Sequence, residues 1–110
     1  MNIAIIGTYG LPLPLDDFKK ILPKPKDTKL IFGTVPVVDK QVWDYALKHK
    51  LKYFGIVPRL TMTENIRNVI QEADKVLIFW DGKSEKTASA IAECITMKKD
   101  FTLYTTYSNS

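Results

Sequence analysis

The chain has little with which to build a metal centre or an activated nucleophile. It carries one cysteine, Cys94, and one histidine, His49. A single cysteine closes no internal disulfide. One cysteine and one histidine also fall short of the three or four protein ligands a zinc site takes. No metal and no cofactor are therefore expected. His49 lies in "ALKHKLK", the end of an amphipathic helix, where a cation suits the helix dipole. Cys94 lies in "IAECI", beside Ile91 and Ile95 at helical spacing, and reads as a small core residue. Arginine is also scarce, with only Arg59 and Arg67 among 16 basic residues. With no arginine-rich recognition helix and no zinc-finger spacing, the sequence argues against duplex DNA. No apolar run reaches the roughly 18 residues of a membrane-spanning helix. The start, "MNIAIIGTYG", has neither a basic n-region nor a cleavage site and reads as a first strand. A cytoplasmic location is the expectation.

What is present suits one soluble domain over residues 1–110. Apolar content is 45% and charged content 25%, ordinary for a globular chain that buries one core. The net charge of +4 is carried mostly by lysine. It permits an anionic partner. The local cluster "PKPKDTK" (23–29) reads as a solvated loop.

Apolar runs and helical periods alternate. "NIAIIG" (2–7), "KLIFG" (29–33), "KYFGIV" (52–57), "KVLIFW" (75–80) and "DFTLYTTY" (100–107) read as strands. "LPLDDFKKIL" (13–22) reads as a helix, with Pro14 near its start, Asp16 and Asp17 in its first turn, and Pro23 stopping it. "PVVDKQVWDYALKHK" (36–50) repeats apolar residues every three to four positions. "TMTENIRNVIQEAD" (61–74), with Thr63 as N-cap, and "SEKTASAIAECITMKK" (84–99) complete the set. This alternation predicts an α/β fold: a Rossmann-like, doubly wound parallel sheet of five strands with helices on both faces. Right-handed crossovers give the order 3-2-1-4-5. Ligands of such sheets bind at the C-terminal strand ends, where the winding reverses.

Three loops should meet there. The first holds Gly7, Thr8, Tyr9 and Gly10, where glycine lets backbone N–H groups approach a ligand. The second holds Gly33 and Thr34, with Asp39 in the helix start after it. The third is the most informative: Trp80, Asp81, Gly82, Lys83, Ser84, Lys86 and Thr87. A helix N-terminus has unpaired N–H groups and partial positive charge, which suit a phosphate. Ser84 and Thr87 add hydroxyls, Lys83 and Lys86 add charge, and Trp80 offers a flat face for a base. Asp39 and Asp81 can accept from ribose hydroxyls. Arg59 and Arg67 are candidate phosphate clamps. The bland alternative is that Ser84 only caps the helix and Trp80 only packs.

The stretch "EADKVLIFWDGKSEKT" resembles the phosphate loop of the SLOG superfamily, Rossmann-like nucleotide-binding domains. The likeness extends over most of the chain, from "NIAIIGTYG" to "FTLYTT". Lys86 stands where the family has a glycine, and Thr8 and Tyr9 stand where serine and arginine are common. The related phosphoribohydrolases and nucleoside deoxyribosyltransferases carry a glutamate just after this loop. Here those positions are Ser89 and Ala90. The resemblance therefore implies binding of a nucleotide or nucleotide-derived signal without catalysis, by a sensor or a sequestering, sponge-like protein such as phages use against defence messengers. Two alternatives stand beside it: a nucleotide N-glycosidase using Asp39 or Asp81, and an interaction module whose ligand site has decayed. The resemblance alone implies a homo-oligomer.

Overall fold

The computed structural model describes residues 1–8, 28–33, 36–55 and 62–105. Within them run strands β1 (Asn2–Ile6) and β2 (Lys29–Phe32), then helix α1 (Pro36–Lys48) and strand β3 (Lys52–Gly55). Helix α2 (Met62–Glu72), strand β4 (Lys75–Phe79), helix α3 (Glu85–Thr96) and strand β5 (Asp100–Tyr104) follow. The helix expected over 13–22 lies outside the described residues. Helix α2 begins at Met62, so Thr63 lies inside it rather than at the cap position expected of it.

All pairings are parallel and the strand order is β3-β2-β1-β4-β5. The sheet is thus the doubly wound α/β sheet that the alternation predicts. Side chains on a strand alternate between faces, and each face has its own core. Ile3, Ile5, Leu30, Leu77 and Phe79 meet Val42, Tyr45 and Ala46 of α1 on one face. Ala4, Ile6, Ile31, Val76 and Ile78 meet Ile66, Val69 and Ile70 of α2, and Ala90 and Cys94 of α3, on the other. This explains why "KVLIF" is apolar at every position after its lysine. It is a central strand, buried on both sides.

Helices α1 and α3 end alike. Leu51 N–H donates to Ala46 O at 2.8 Å, and Lys99 N–H to Cys94 O at 2.8 Å. The residues between, Lys50 and Lys98, have φ of +56° and +54°. These are left-handed helix caps built on lysine, where glycine is usual. Among the described residues, no helix is long and apolar enough to cross a membrane.

Candidate functional site

The β1 and β4 strands lie side by side, with Ile6 in register with Ile78. On one side of this seam the order continues to β2 and β3, on the other to β5. The seam is the point where the winding reverses. The loops after β1 and β4 emerge there.

Strand β4 ends at Phe79, and its continuation is held from both flanks. Trp80 N–H donates to Tyr104 O at 3.0 Å. The Phe79 and Tyr104 rings stack with centroids 4.9 Å apart. The Thr8 hydroxyl donates to Phe79 O at 2.8 Å. Thr8 and Thr87 Oγ1 atoms are 3.0 Å apart. A hydroxyl has one proton. Since that of Thr8 goes to Phe79 O, Thr87 must be the donor of the second bond. The Thr87–Ser84 hydroxyl contact, at 3.3 Å, is then the weaker one. This chain ties the loop after β1 to the first turn of α3.

The β4–α3 turn closes on itself. Asp81 Oδ1 accepts from the N–H groups of Lys83 and Ser84, both at 2.8 Å. Gly82 sits between them with φ +79°, a conformation that favours glycine. Ser84 is the N-cap of α3, and its Oγ accepts from Thr87 N–H at 3.4 Å. The Trp80 indole N–H donates to Ser84 O at 3.0 Å, while its half-buried ring packs on the core shared by α2 and α3. The bond from Lys83 N–H, then that from Ser84 N–H, holds the Asp81 carboxyl below its ordinary value of 3.8. Its contribution to stability is therefore complete above about pH 3.8 and is lost as pH falls through the lower folded value. A carbon-detected NMR titration should place the Asp81 midpoint below 3.8. A midpoint at or above that value would remove the two backbone bonds.

The residues singled out from sequence fall in different places. Lys83 and Lys86 are exposed at the start of α3, with Gly82 beside them, and Trp80, Asp81 and Ser84 are half-buried there. Thr8 and Thr87 are brought together, but both are buried and bonded within the protein, 3% and 2% exposed. Gly7 and Gly33 are buried at the ends of β1 and β2, and Asp39 falls by its backbone in the first turn of α1. Tyr9, Gly10, Thr34 and Arg59 lie outside the described residues. Arg67 does not stand free to clamp a phosphate. Its guanidinium grips Glu93 at 3.1 and 3.4 Å, bridging α2 to α3. Glu93 is itself about 12 Å along α3 from the helix start, at about 1.5 Å per residue. Tyr104, which flanks the Phe79 end of β4, was not foreseen; an aromatic closing the last strand was its only sequence signal. Cys94 is fully buried, and burial pushes its thiol up to about 11, so at neutral pH it is no nucleophile.

No protein-family model, no curated protein and no solved structure matches this chain. Among the described residues, no group of three or more His, Cys, Asp or Glu is placed to hold a metal ion.

Proposed function

We propose that the chain binds a nucleotide or nucleotide-derived signalling molecule over the β1 and β4 strand ends, without cleaving it. The observation that carries this reading is the Thr8–Phe79–Thr87 linkage, which holds the first loop against the N-terminus of α3 at the winding reversal. The N–H groups of Glu85 and Lys86 are in the first turn, where a helix supplies no partner of its own. Lys83 and Lys86 stand exposed beside them. Together they suit a phosphate. Non-cleavage rests on the carboxylates. Asp81 Oδ1 is taken up by the N–H groups of Lys83 and Ser84 within its own turn. Ser89 and Ala90 stand where the SLOG-like enzymes carry glutamate. A sensor or a sequestering protein, assembled as a homo-oligomer, is the role that resemblance adds.

One observation favours the interaction-module reading. The turn satisfies itself: Asp81, Ser84, Thr87 and the Trp80 indole spend their hydrogen bonds on one another. A depletion assay separates the readings. Purified protein is mixed with ADP-ribose, NAD, cyclic ADP-ribose isomers, cyclic dinucleotides, AMP and ATP, filtered, heated and analysed by HPLC. The proposal expects one compound to disappear and to return intact on heating. For that compound, Trp80→Ala should weaken binding by about 1–3 kcal/mol if a base stacks there. A cleaved product would make the protein an enzyme. No depletion would leave the interaction module.

A further inference from the structure

The other notable surface lies at the far edge of the sheet. Among the described residues, strand β3 pairs only with β2, and all four of its residues are exposed. One side of its backbone thus presents N–H and C=O groups with no strand of the described residues beside it. Long apolar side chains gather at this edge. Trp43, Leu47, Tyr53 and Phe54 are 41%, 51%, 42% and 44% exposed. A strand edge flanked by exposed apolar groups is a template for another strand.

The two faces of this edge differ. Tyr53 is in register with Leu30, which belongs to the α1 face, so Tyr53 lies beside Trp43 and the exposed Leu47 on that face. The Trp43 and Tyr53 rings meet edge to face at 6.5 Å. Lys52 and Phe54 point to the opposite face, in register with Lys29 and Ile31. There Lys29 Nζ lies 5.1 Å from the Phe54 ring centroid. Beside the strand, one face therefore offers Trp43, Leu47 and Tyr53, and the other Lys29, Lys52 and Phe54. From residue 40 to 55 the chain has four lysines and one aspartate, a net charge of +3 with His49 neutral.

We propose that the free edge of β3 takes an extended acidic peptide segment as a sixth strand, its side chains alternating apolar and acidic. The apolar residues face Trp43, Leu47 and Tyr53; the acidic residues face Lys29 and Lys52. Main-chain bonds to β3 give affinity, and the two unlike faces set the register. A second copy of the chain fits less well, because its β3, KYFG, brings no carboxylate to face Lys29 and Lys52. A single-stranded nucleic acid fits less well too. Tyr53 already stacks on Phe32 and is capped by Trp43, and a base cannot satisfy a strand's backbone edge.

Fluorescence anisotropy of the full chain tests this with a fluorescein-labelled decapeptide of alternating valine and glutamate. Two controls are the same peptide with lysine for glutamate, and one with the valines and glutamates in separate blocks. Saturable binding of the alternating acidic peptide is expected, at least about tenfold tighter than either control. Lys52→Glu and Trp43→Ala, both at exposed positions, should each weaken it about tenfold without unfolding the chain. Amide shifts should cluster on residues 52–55. Equal binding of the lysine peptide, or shifts confined to the α3 N-terminus, would overturn the proposal. So would absence of binding. A dimer by sedimentation that Tyr53→Lys dissociates would assign the edge to a second copy instead.

Discussion

Phe79→Ala is expected to lower stability by about 3–5 kcal/mol. Among the described residues, Phe79 is the largest fully buried side chain, at the end of a strand flanked on both sides. Its ring lies in the core that β1, β2 and β4 share with α1 and stacks at 13° on Tyr104. Truncation removes both the burial and the stacking, the latter worth about 0.5–1.5 kcal/mol. Domains are stable by only about 5–15 kcal/mol, so about a fifth or more of the total is at stake. Urea unfolding followed by tryptophan fluorescence gives the value. The midpoint should fall while the slope stays unchanged. Tyr104→Ala should cost less, because that ring is only half-buried. A Phe79→Ala loss below about 1.5 kcal/mol would mean that the end of β4 is not packed as described.

The same strand shows why the fold could be read from sequence. A run apolar at consecutive positions and too short for a buried helix fits a strand covered on both faces, and "KVLIF" is such a run. Alternation with helices, plus the handedness of crossovers, then leaves few strand orders. Helix ends were less legible. Glycine or proline usually marks them, whereas α1 and α3 turn off at Lys50 and Lys98. Lysine adopts left-handed φ at some cost, and nothing in its neighbours' identities announces it. Trp80 read as the last residue of β4, yet the strand stops at Phe79. Trp80 N–H still donates to Tyr104 O, while its indole N–H turns to Ser84 O in the following loop.

The site was legible as local turn chemistry and illegible as a network. Ser84 as N-cap, with Gly82 in the turn before it, follows from spacing alone, since capping bonds span two or three residues. The Thr8–Thr87 bond joins residues 79 apart, and the Arg67–Glu93 pair spans 26. Sequence reading counts donors but not the partners that consume them. It therefore treated Thr8, Thr87 and Arg67 as groups available to a ligand. The fold turns two of them into a buried joint and the third into a strut between helices.

That joint sets the second large expectation, a double-mutant cycle on Thr8 and Thr87. Valine keeps the branched shape and removes only the hydroxyl. Thr87→Val removes the donor inferred for buried Thr8 Oγ1, which keeps its own bond to Phe79 O, so the cost is that of one hydrogen bond, about 0.5–1.5 kcal/mol. Thr8→Val should cost at least as much, since it also removes the donor to Phe79 O. The Thr8→Val, Thr87→Val double variant leaves neither hydroxyl behind, so it should cost less than the two singles added together. The coupling should fall within about 0.5–3 kcal/mol, as for residues in contact. Chemical unfolding of the four proteins measures it. Additivity within about 0.3 kcal/mol would show that the first loop and α3 are not joined through these hydroxyls. Combined with the depletion assay, the cycle also tests the proposed site. Neither threonine is exposed enough to touch a ligand. If the double variant stays folded but no longer depletes the compound that the wild type retains, the joint acts by holding two loops in place. If depletion is unchanged, the ligand contacts only α3, and the first loop drops out of the site.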